Sequence, residues 1–194
     1  MIECKMCGAQ FAGNFGRGRP SMYCSAACKQ RAYRAASKLP AELTALPRWV
    51  RWDLRRRGDR MTKIPLQING RLASSIDPAT WTTFSKAQRS AVGRGVGFML
   101  GAGIGCIDLD HCIEDGQLQP WAREIIAACP ATFMERSQSG EGVHIFGLLD
   151  EGPGSRRGSV EVYSRARFIA MTGDRLHGAP ARLCDLQGVR SMLA

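Results

Sequence analysis

The chain has 194 residues, of which 44% are hydrophobic, with 27 lysines and arginines, 17 aspartates and glutamates, and eight cysteines. This length and composition predict one compact domain with a small appendage, and they exclude a disordered or fibrous protein. No run of eighteen apolar residues and no signal peptide is present, so we expect no membrane span and no export. In a reducing cytoplasm the cysteines should bind metal or pack, and not form disulfides.

The positive charge is concentrated at the N-terminal end. Residues 1–60 hold 13 lysines and arginines against 4 acids, a net charge of +9, whereas residues 61–194 hold 14 against 13, a net charge of +1. A basic arm joined to a nearly neutral body favours a polyanion such as a nucleic acid as partner. A basic face that only keeps the protein in solution is the alternative.

Residues 1–38 carry a metal-binding pattern, C-x2-C, sixteen residues and C-x3-C, formed by Cys4, Cys7, Cys24 and Cys28. Zn²⁺ binds four thiolates tetrahedrally, so the pattern predicts a structural zinc module. Four reduced, buried cysteines are the alternative, but the segment has few large apolar side chains to cover them. Ser25 is predicted to cap a helix with Cys28 in its first turn. That helix would present a cationic surface for nucleic-acid phosphates: Lys29, Arg31, Arg34 and Lys38.

Residues 39–47 are bounded by two prolines and predict a linker, and residues 48–194 form the body. The sequences WVRWDL and KIPLQI predict strands, TTFSKAQRSAV predicts a helix, and GVGFML and GIGCIDLD predict two paired strands. A second helix is predicted to begin at Pro120, and four short strands follow at residues 132–135, 143–148, 160–163 and 168–171. Many strands with two convincing helices predict an α+β domain around a mostly antiparallel sheet.

Two aspartates end the predicted strand GIGCIDLD. Asp108 and Asp110 are separated by one residue, so both carboxylates should leave the same face of the strand. Two anions that close need a shared cation, or one must take a proton. Oxygen ligands favour Mg²⁺ or Mn²⁺, which also take phosphates of a substrate as ligands. Two ordinary aspartates at an exposed strand end are the alternative.

In ERSQSGEGVHIFG, a loop rich in serine and glycine leads into an apolar strand at His144. Small residues let backbone N–H groups approach an anion, and the imidazole can hydrogen-bond a phosphate or a sugar oxygen. Neither a P-loop nor a dinucleotide-binding fingerprint is present. A single histidine is more often a packed residue, which is the alternative here.

The segment SVEVYSRARFIAMTG places Glu161 between two valines of a predicted strand, so its side chain faces solvent or a site. Arg165 and Arg167 follow, and Thr172 ends the next strand. Cationic forks and a hydroxyl there suit contacts with a triphosphate and a ribose. Taken alone, an exposed glutamate and two surface arginines are the more common case.

In this order, the three segments resemble the catalytic motifs of the archaeo-eukaryotic primase superfamily, specifically the primase-polymerase domain of phage and plasmid replication proteins. The resemblance covers about residues 46–176 and implies an RRM-like catalytic core. It implies that Asp108, Asp110 and Glu161 bind two divalent ions and that His144 contacts the incoming nucleotide. Gly142 stands where many members have serine, which leaves open whether Ser137 or Ser139 meets the phosphate. The resemblance also implies a nucleotide contact from Lys63, while the residue patterns described above add Gly140, Arg167 and Thr172.

The resemblance implies a template-directed primase and DNA polymerase that joins nucleoside triphosphates on single-stranded DNA, with Mg²⁺ or Mn²⁺ as cofactor. Tyr23, Tyr33 and Trp49 are candidates for stacking on bases. The chain is expected to act alone or as part of a larger replicase with a helicase, in the host cytoplasm if phage-encoded. Two other functions stay open: a non-catalytic, zinc-dependent nucleic-acid binder, and a metal-dependent nuclease that uses the same carboxylates.

Overall fold

The computed structural model describes residues 2–4, 7–13, 21–30 and 39–193 and divides the chain into two compact units, 1–38 and 39–194. In the first unit, β1 (Ile2–Glu3) pairs with β2 (Gln10–Phe11) in an antiparallel hairpin. Residues 26–30 are helical, and the backbone N–H of Cys28 donates to Ser25 Oγ at 3.1 Å, which is the predicted cap. In all of the described ranges of the chain, no helix is long and apolar enough to cross a membrane.

The second unit contains two antiparallel sheets of five and four strands, and the predicted α+β class is confirmed. Its larger strands are β3 (Trp49–Arg57), β4 (Arg60–Leu66), β5 (Gly95–Met99), β6 (Ile104–Leu109), β9 (Met134–Arg136), β10 (Val143–Leu148), β11 (Ser155–Arg157), β12 (Val160–Tyr163) and β13 (Phe168–Met171). The five-stranded sheet has the order β11-β12-β6-β10-β9, and the four-stranded sheet has the order β13-β5-β3-β4. A small hairpin joins β7 (Ile113–Glu114) and β8 (Gln117–Leu118).

Four short helices complete this unit: α1 (Ala41–Thr44), α2 (Phe84–Arg89), α3 (Pro120–Ala128) and α4 (Gln187–Leu193). Helix α2 is shorter than the predicted span 82–92. Its start is displaced because Thr82 exchanges two backbone hydrogen bonds with Trp49, at 2.8 and 2.9 Å. Helix α1 lies within the segment predicted as a linker, and its Leu43 is fully buried beside Trp49.

The predicted pairing of β5 with β6 is wrong. Strand β5 lies between β13 and β3, and β6 lies between β12 and β10, in a different sheet. Both edges of each strand are therefore occupied by other strands. The glycine-rich turn between them, with Gly101 at φ 132° and Gly103 at φ 77°, passes the chain from one sheet to the other.

Strand β6 alternates between two apolar layers. Ile107 and Leu109 pack with residues of α3 and α4, whereas Ile104 and Cys106 pack with Trp49 and other residues of the four-stranded sheet. Burial on both faces explains why the sequence of this strand is continuously apolar and does not alternate with polar residues. The layer that contains Cys106 continues along the strand to residue 108, where it becomes polar, and this is where the candidate site lies.

Candidate active site

A row of five polar residues crosses the five-stranded sheet. In the strand register, Asp108 of β6 lies opposite His144 of β10 on one side and Glu161 of β12 on the other. His144 in turn lies opposite Glu135, and Glu161 lies opposite Arg156. Directly paired residues of antiparallel strands project from the same face. The structure therefore brings three residues from distant parts of the sequence onto neighbouring positions of one surface.

Asp108 is the centre of the row, and its side chain is 15% exposed. Its Oδ1 is buried without a hydrogen-bond partner and lies 3.8 Å from His144 Nε2, beyond hydrogen-bonding distance. Burial raises the pKa of the Asp108 carboxyl; His144 opposes this shift, while Asp110 and Glu161 add to it. An unpartnered carboxylate oxygen next to other acids fits a site that takes a cation.

His144 is fixed by a buried glutamate. Its Nδ1 lies 3.1 Å from Glu135 Oε1, and the two side chains are 4% and 0% exposed. The carboxylate of Glu135 also accepts hydrogen bonds from the backbone N–H groups of Thr172, at 3.2 Å, and Gly173, at 2.8 Å. These bonds hold the imidazole with Nε2 on the side of Asp108. Thr172 thus contributes through its backbone, while its hydroxyl donates to the carbonyl of Arg136.

Glu161 is held by two arginines. Arg156 lies 3.1 Å from Oε1 and Arg167 lies 3.3 Å from Oε2, while the glutamate side chain is only 5% exposed. The arginine side chains are 66% and 48% exposed, and Arg167 also stacks over the ring of Tyr163 at 4.5 Å. Both oxygens of Glu161 are therefore engaged by guanidinium groups that water can reach.

Asp110 follows the last residue of β6, and its backbone N–H donates to the carbonyl of Ser159 at 2.8 Å. The carboxylates of Asp108, Asp110 and Glu161 are not drawn together to metal-ligand spacing. In the part of the chain that the structure describes, the one set of three or more ligating side chains with atoms within 4.8 Å of one another is the cysteine cluster. Asp108 and Glu161 share a face of the sheet, but the three carboxylates do not surround a common point.

A cavity of about 620 Å³ opens over the row. Asp108, His144, Lys63 and Arg167 line it, so two cations predicted from the sequence lie beside the central acid. Much of the remaining wall is apolar and includes Met61, Pro65, Phe168 and Ala170. The cavity therefore combines an acidic floor, a cationic rim and an apolar wall, and its volume suits a ligand of nucleotide size.

The predicted serine and glycine contacts lie elsewhere. Ser139 and Gly140 line a second cavity of about 650 Å³, whose wall also includes His111 and Trp121. Ser137 Oγ accepts a hydrogen bond from the backbone N–H of Gly142, which joins the two ends of this loop. Neither cavity brings these hydroxyls next to Asp108.

Gly142 departs from the serine of many superfamily members for a steric reason. A Cβ at this position would lie 2.8 Å from the carbonyl oxygen of Leu109 and 2.8 Å from Ser137 Oγ. Both distances are shorter than real side-chain contacts allow. The position therefore has no room for serine in this chain.

The first unit gathers its four cysteines around one point. The sulfur atoms of Cys4, Cys7, Cys24 and Cys28 lie within 4.8 Å of one another. Hydrogen bonds with the neighbouring thiols, first the one that Cys24 donates to Cys28, raise the pKa of Cys24 to about 12. Four sulfur ligands at this spacing fit tetrahedral zinc, which binds the thiolates and releases their protons. This cluster can therefore hold the predicted zinc ion.

The predicted nucleic-acid contacts are described only in part. Lys29 is exposed one residue beyond Cys28, whereas Arg31, Arg34 and Lys38 lie outside the described residues, as does Tyr33. Trp49, a candidate for base stacking, is fully buried against Phe84 and Phe98. Its indole N–H donates to the carbonyl of Leu43, so this residue is part of the core. Trp49 therefore cannot stack on bases.

No protein-family model matches the chain. It is 32% identical over 161 residues to a protein of Nitratiruptor phage NrS-1 that is named DNA primase-polymerase. The chain is a homologue of this phage protein. The match covers 73% of the chain but 21% of the phage protein, so the chain spans about a fifth of that relative. The family resemblance inferred from the three ordered motifs is confirmed.

Sequence reasoning missed two members of the row, Glu135 and Arg156. Glu135 follows three apolar or hydroxyl-bearing residues in a predicted strand, the same signal that singled out Glu161. An acid inside an apolar strand is a candidate for a buried ionic contact. Arg156 carries no such signal, because its neighbours in the sequence are polar or glycine and only the strand register places it beside Glu161.

Proposed function

We propose that this chain contains the nucleotidyltransferase site of a phage-type primase and DNA polymerase. The reaction joins nucleoside triphosphates on a single-stranded DNA template and releases pyrophosphate. The observation that supports this most is the alignment of His144, Asp108 and Glu161 on three neighbouring strands, with Asp108 and His144 lining one cavity. The named activity of the phage relative points in the same direction.

In this proposal, Asp108, Asp110 and Glu161 hold two Mg²⁺ or Mn²⁺ ions. The unpartnered Oδ1 of Asp108 and the all-oxygen donor set fit such ions. When bound, the ions lower the pKa of the attacking 3′-hydroxyl and neutralise charge on the triphosphate. Glu161 can act as a ligand through a lone pair that the guanidinium groups leave free, or by exchanging Arg156 or Arg167 for an ion. The exposure of both guanidinium groups makes that exchange inexpensive, since water replaces the lost contact.

The remaining cavity residues position the nucleotide. Lys63 and Arg167 place positive charge on the cavity wall, where a triphosphate needs it. His144, fixed by Glu135, directs Nε2 towards the same space and contacts a phosphate or sugar oxygen. Phe168 and Pro65 offer apolar surface for the base or the sugar. Ser137, Ser139 and Gly140 would reach the phosphates only through a rearrangement of their loop.

The first unit, residues 1–38, serves as a zinc module for the template. Its four cysteines hold a structural zinc ion, and the basic residues that follow them, Lys29, Arg31, Arg34 and Lys38, bind phosphates of single-stranded DNA. A helicase is the partner that would extend this activity in a replication system. The second unit, residues 39–194, carries the chemistry.

The test is the substitution Asp108→Ala, with Glu124→Ala on the exposed face of α3 as control. Loss of Asp108 should reduce incorporation of labelled nucleotides on a single-stranded template at least about a hundredfold, because it removes the central acid. Thermal unfolding should be unchanged or slightly higher, since the substitution removes a buried oxygen that lacks a partner.

Product lengths read on a gel distinguish the competing functions. Lengthened strands in Mg²⁺ or Mn²⁺ support the proposal, and unchanged incorporation by the folded Asp108→Ala variant contradicts the assignment of this residue. Shortening of the labelled strand by the unsubstituted protein would identify a nuclease. Binding of the strand without any change in length would identify a non-catalytic binder.

A further inference from the structure

Part of the N-terminal positive charge belongs to the second unit. Residues 39–60 hold six arginines against three acids. Four of these arginines are exposed at the end of the β3–β4 hairpin: Arg55, Arg56, Arg57 and Arg60. Within the described part of the chain, none of the four pairs with a carboxylate. We call these four residues and the turn between them the basic tip.

The register of the hairpin sets like charges against each other. Arg57 lies directly opposite Arg60, and Arg55, two residues earlier on the same strand, shares their face. Like charges directly opposite in a sheet are destabilising. Strand β3 pairs with β5 only over Trp49–Trp52, so the basic tip is a two-stranded ribbon without a neighbour. The fold gains no contact that would explain three arginines on one face.

Protection of the exposed edges is one explanation for charge at this place, because charged side chains deter pairing with other strands. Edge protection needs charged side chains but does not require that they be positive. The position of the basic tip favours a more specific role. Arg60, Met61, Thr62 and Lys63 continue along β4 as part of the wall of the cavity that contains Asp108. Strand β4 therefore carries positive charge both at the tip, in Arg60, and further along the cavity wall, in Lys63.

We propose that the basic tip binds the phosphates of single-stranded DNA as the strand passes the active-site cavity. The proposal rests on the proposed function, which supplies a single strand at this cavity. Guanidinium groups on a paired ribbon are well suited to phosphates, because they donate two parallel hydrogen bonds and release condensed counterions. Met61, which is 58% exposed and lies opposite Arg56 in the hairpin, offers apolar surface to an unstacked base.

The test is Arg57→Glu in the full chain, with binding of a fluorescently labelled single-stranded oligonucleotide measured by anisotropy across a salt series. No nucleotide or divalent ion is added, so the result does not depend on catalysis. The substitution removes one phosphate contact and occupies Arg60 through a new ion pair. The slope of log affinity against log salt should become shallower by about 1.4, which is two single-strand phosphates, and affinity should fall by about tenfold at low salt.

Thermal unfolding separates this role from edge protection. Arg57→Glu keeps a charge on the ribbon and replaces a repulsive pair by an attractive one, so the unfolding temperature should not fall. Arg57→Gln cannot form an ion pair with Arg60, so it should make the salt slope shallower by about 0.7, which is one single-strand phosphate. This variant takes the place of Arg57→Glu if the glutamate variant fails to fold. The matched control is Arg123→Glu, an exposed position on α3 with the same change in net charge.

Unchanged affinity and slope in both Arg57 variants would overturn the proposal, as would equal weakening by Arg123→Glu. Displacement of the strand from the unsubstituted protein by polyglutamate as readily as by unlabelled DNA would also overturn it, since the tip would then bind any polyanion. Asp108→Ala keeps the basic tip intact and should bind the strand normally. A chain that binds through the tip but incorporates no nucleotide would refute the proposed function and leave this inference standing.

Discussion

Two histidines of this chain pair with a glutamate, and both pairs have 3.1 Å between Nδ1 and the carboxylate oxygen. The surroundings of the pairs are opposite. The side chains of His144 and Glu135 are 4% and 0% exposed, whereas those of His111 and Glu141 are 79% and 59% exposed. Water competes for each contact of the exposed pair but cannot replace a contact of the buried one. The two pairs therefore contribute very differently to stability although their distances are equal.

The same contrast separates the two sides of Asp108. On one side, His144 is fixed by a glutamate that backbone N–H groups hold in place. On the other side, Glu161 is held by arginines that are half exposed or more. The side of the row with His144 is thus preorganised and shielded from water, whereas the side with Glu161 can exchange its ion-pair partners. A site that must admit a charged ligand benefits from having both kinds of neighbour.

The largest effect on stability is expected from the buried pair. Glu135 uses both carboxylate oxygens as acceptors, from the His144 ring and from the N–H groups of Thr172 and Gly173. In Glu135→Gln, one acceptor becomes an amide that faces a donor. The amide can donate to Nδ1 only if the imidazole carries its proton on Nε2; otherwise a buried hydrogen bond breaks. Either the change of tautomer or the broken bond should lower the free energy of unfolding, by about 1–3 kcal/mol in urea denaturation.

The same variant sharpens the functional side of the comparison. If Glu135 positions His144, kcat for incorporation in Glu135→Gln should fall more than the protein's affinity for single-stranded DNA, which is measured without nucleotide. A Glu135→Asp variant, which keeps both acceptors on a shorter side chain, should recover part of the loss. A variant that retains full stability and full kcat would show that the buried pair is no more important than the exposed one.

A smaller effect is expected on the exchangeable side of the row. Arg167 lines the cavity with Asp108, whereas Arg156 holds Glu161 from outside that cavity. Arg167→Gln should raise the KM for nucleotide by about tenfold, the loss of one charge-assisted contact, while Arg156→Gln should change it by less than about threefold. Steady-state incorporation at varied nucleotide concentration measures both. Equal effects would mean that the arginines act on Glu161 alone.

Much of this site was predictable because its residues interrupt apolar strands. Asp108, His144 and Glu161 each stand out against valine, isoleucine or leucine neighbours, and period-two alternation fixes which face they share with nearby residues. The ends of β10, β12 and β13 were predicted to the residue for the same reason. Strong local alternation leaves little freedom for the position of a strand.

Pairing between strands was less predictable. The two strands β5 and β6 were predicted to pair because a short glycine turn joins them, but β3 and β13 occupy the edges of β5, and β10 and β12 occupy the edges of β6. Trp49 was equally ambiguous, because an aromatic residue at the start of a strand suits both a stacking platform and a core. Only the packing of Leu43 and Phe98 against it decides for the core. These outcomes depend on contacts between distant segments, which local patterns do not encode.

The smallest effect is expected from the exposed pair, and it tests whether proximity to the acidic motif is enough to make a histidine functional. His111 directly follows Asp110, yet its ring lies in solvent against Glu141, at the mouth of the second cavity. Glu141→Gln should change the free energy of unfolding by less than about 0.5 kcal/mol, because an exposed ion pair contributes little and salt screens it. Incorporation should stay within about twofold of the unsubstituted protein, since neither residue of this pair lines the Asp108 cavity. A loss of activity as large as that of Glu135→Gln would show that the second cavity takes part in the reaction, and burial would then no longer distinguish the two pairs.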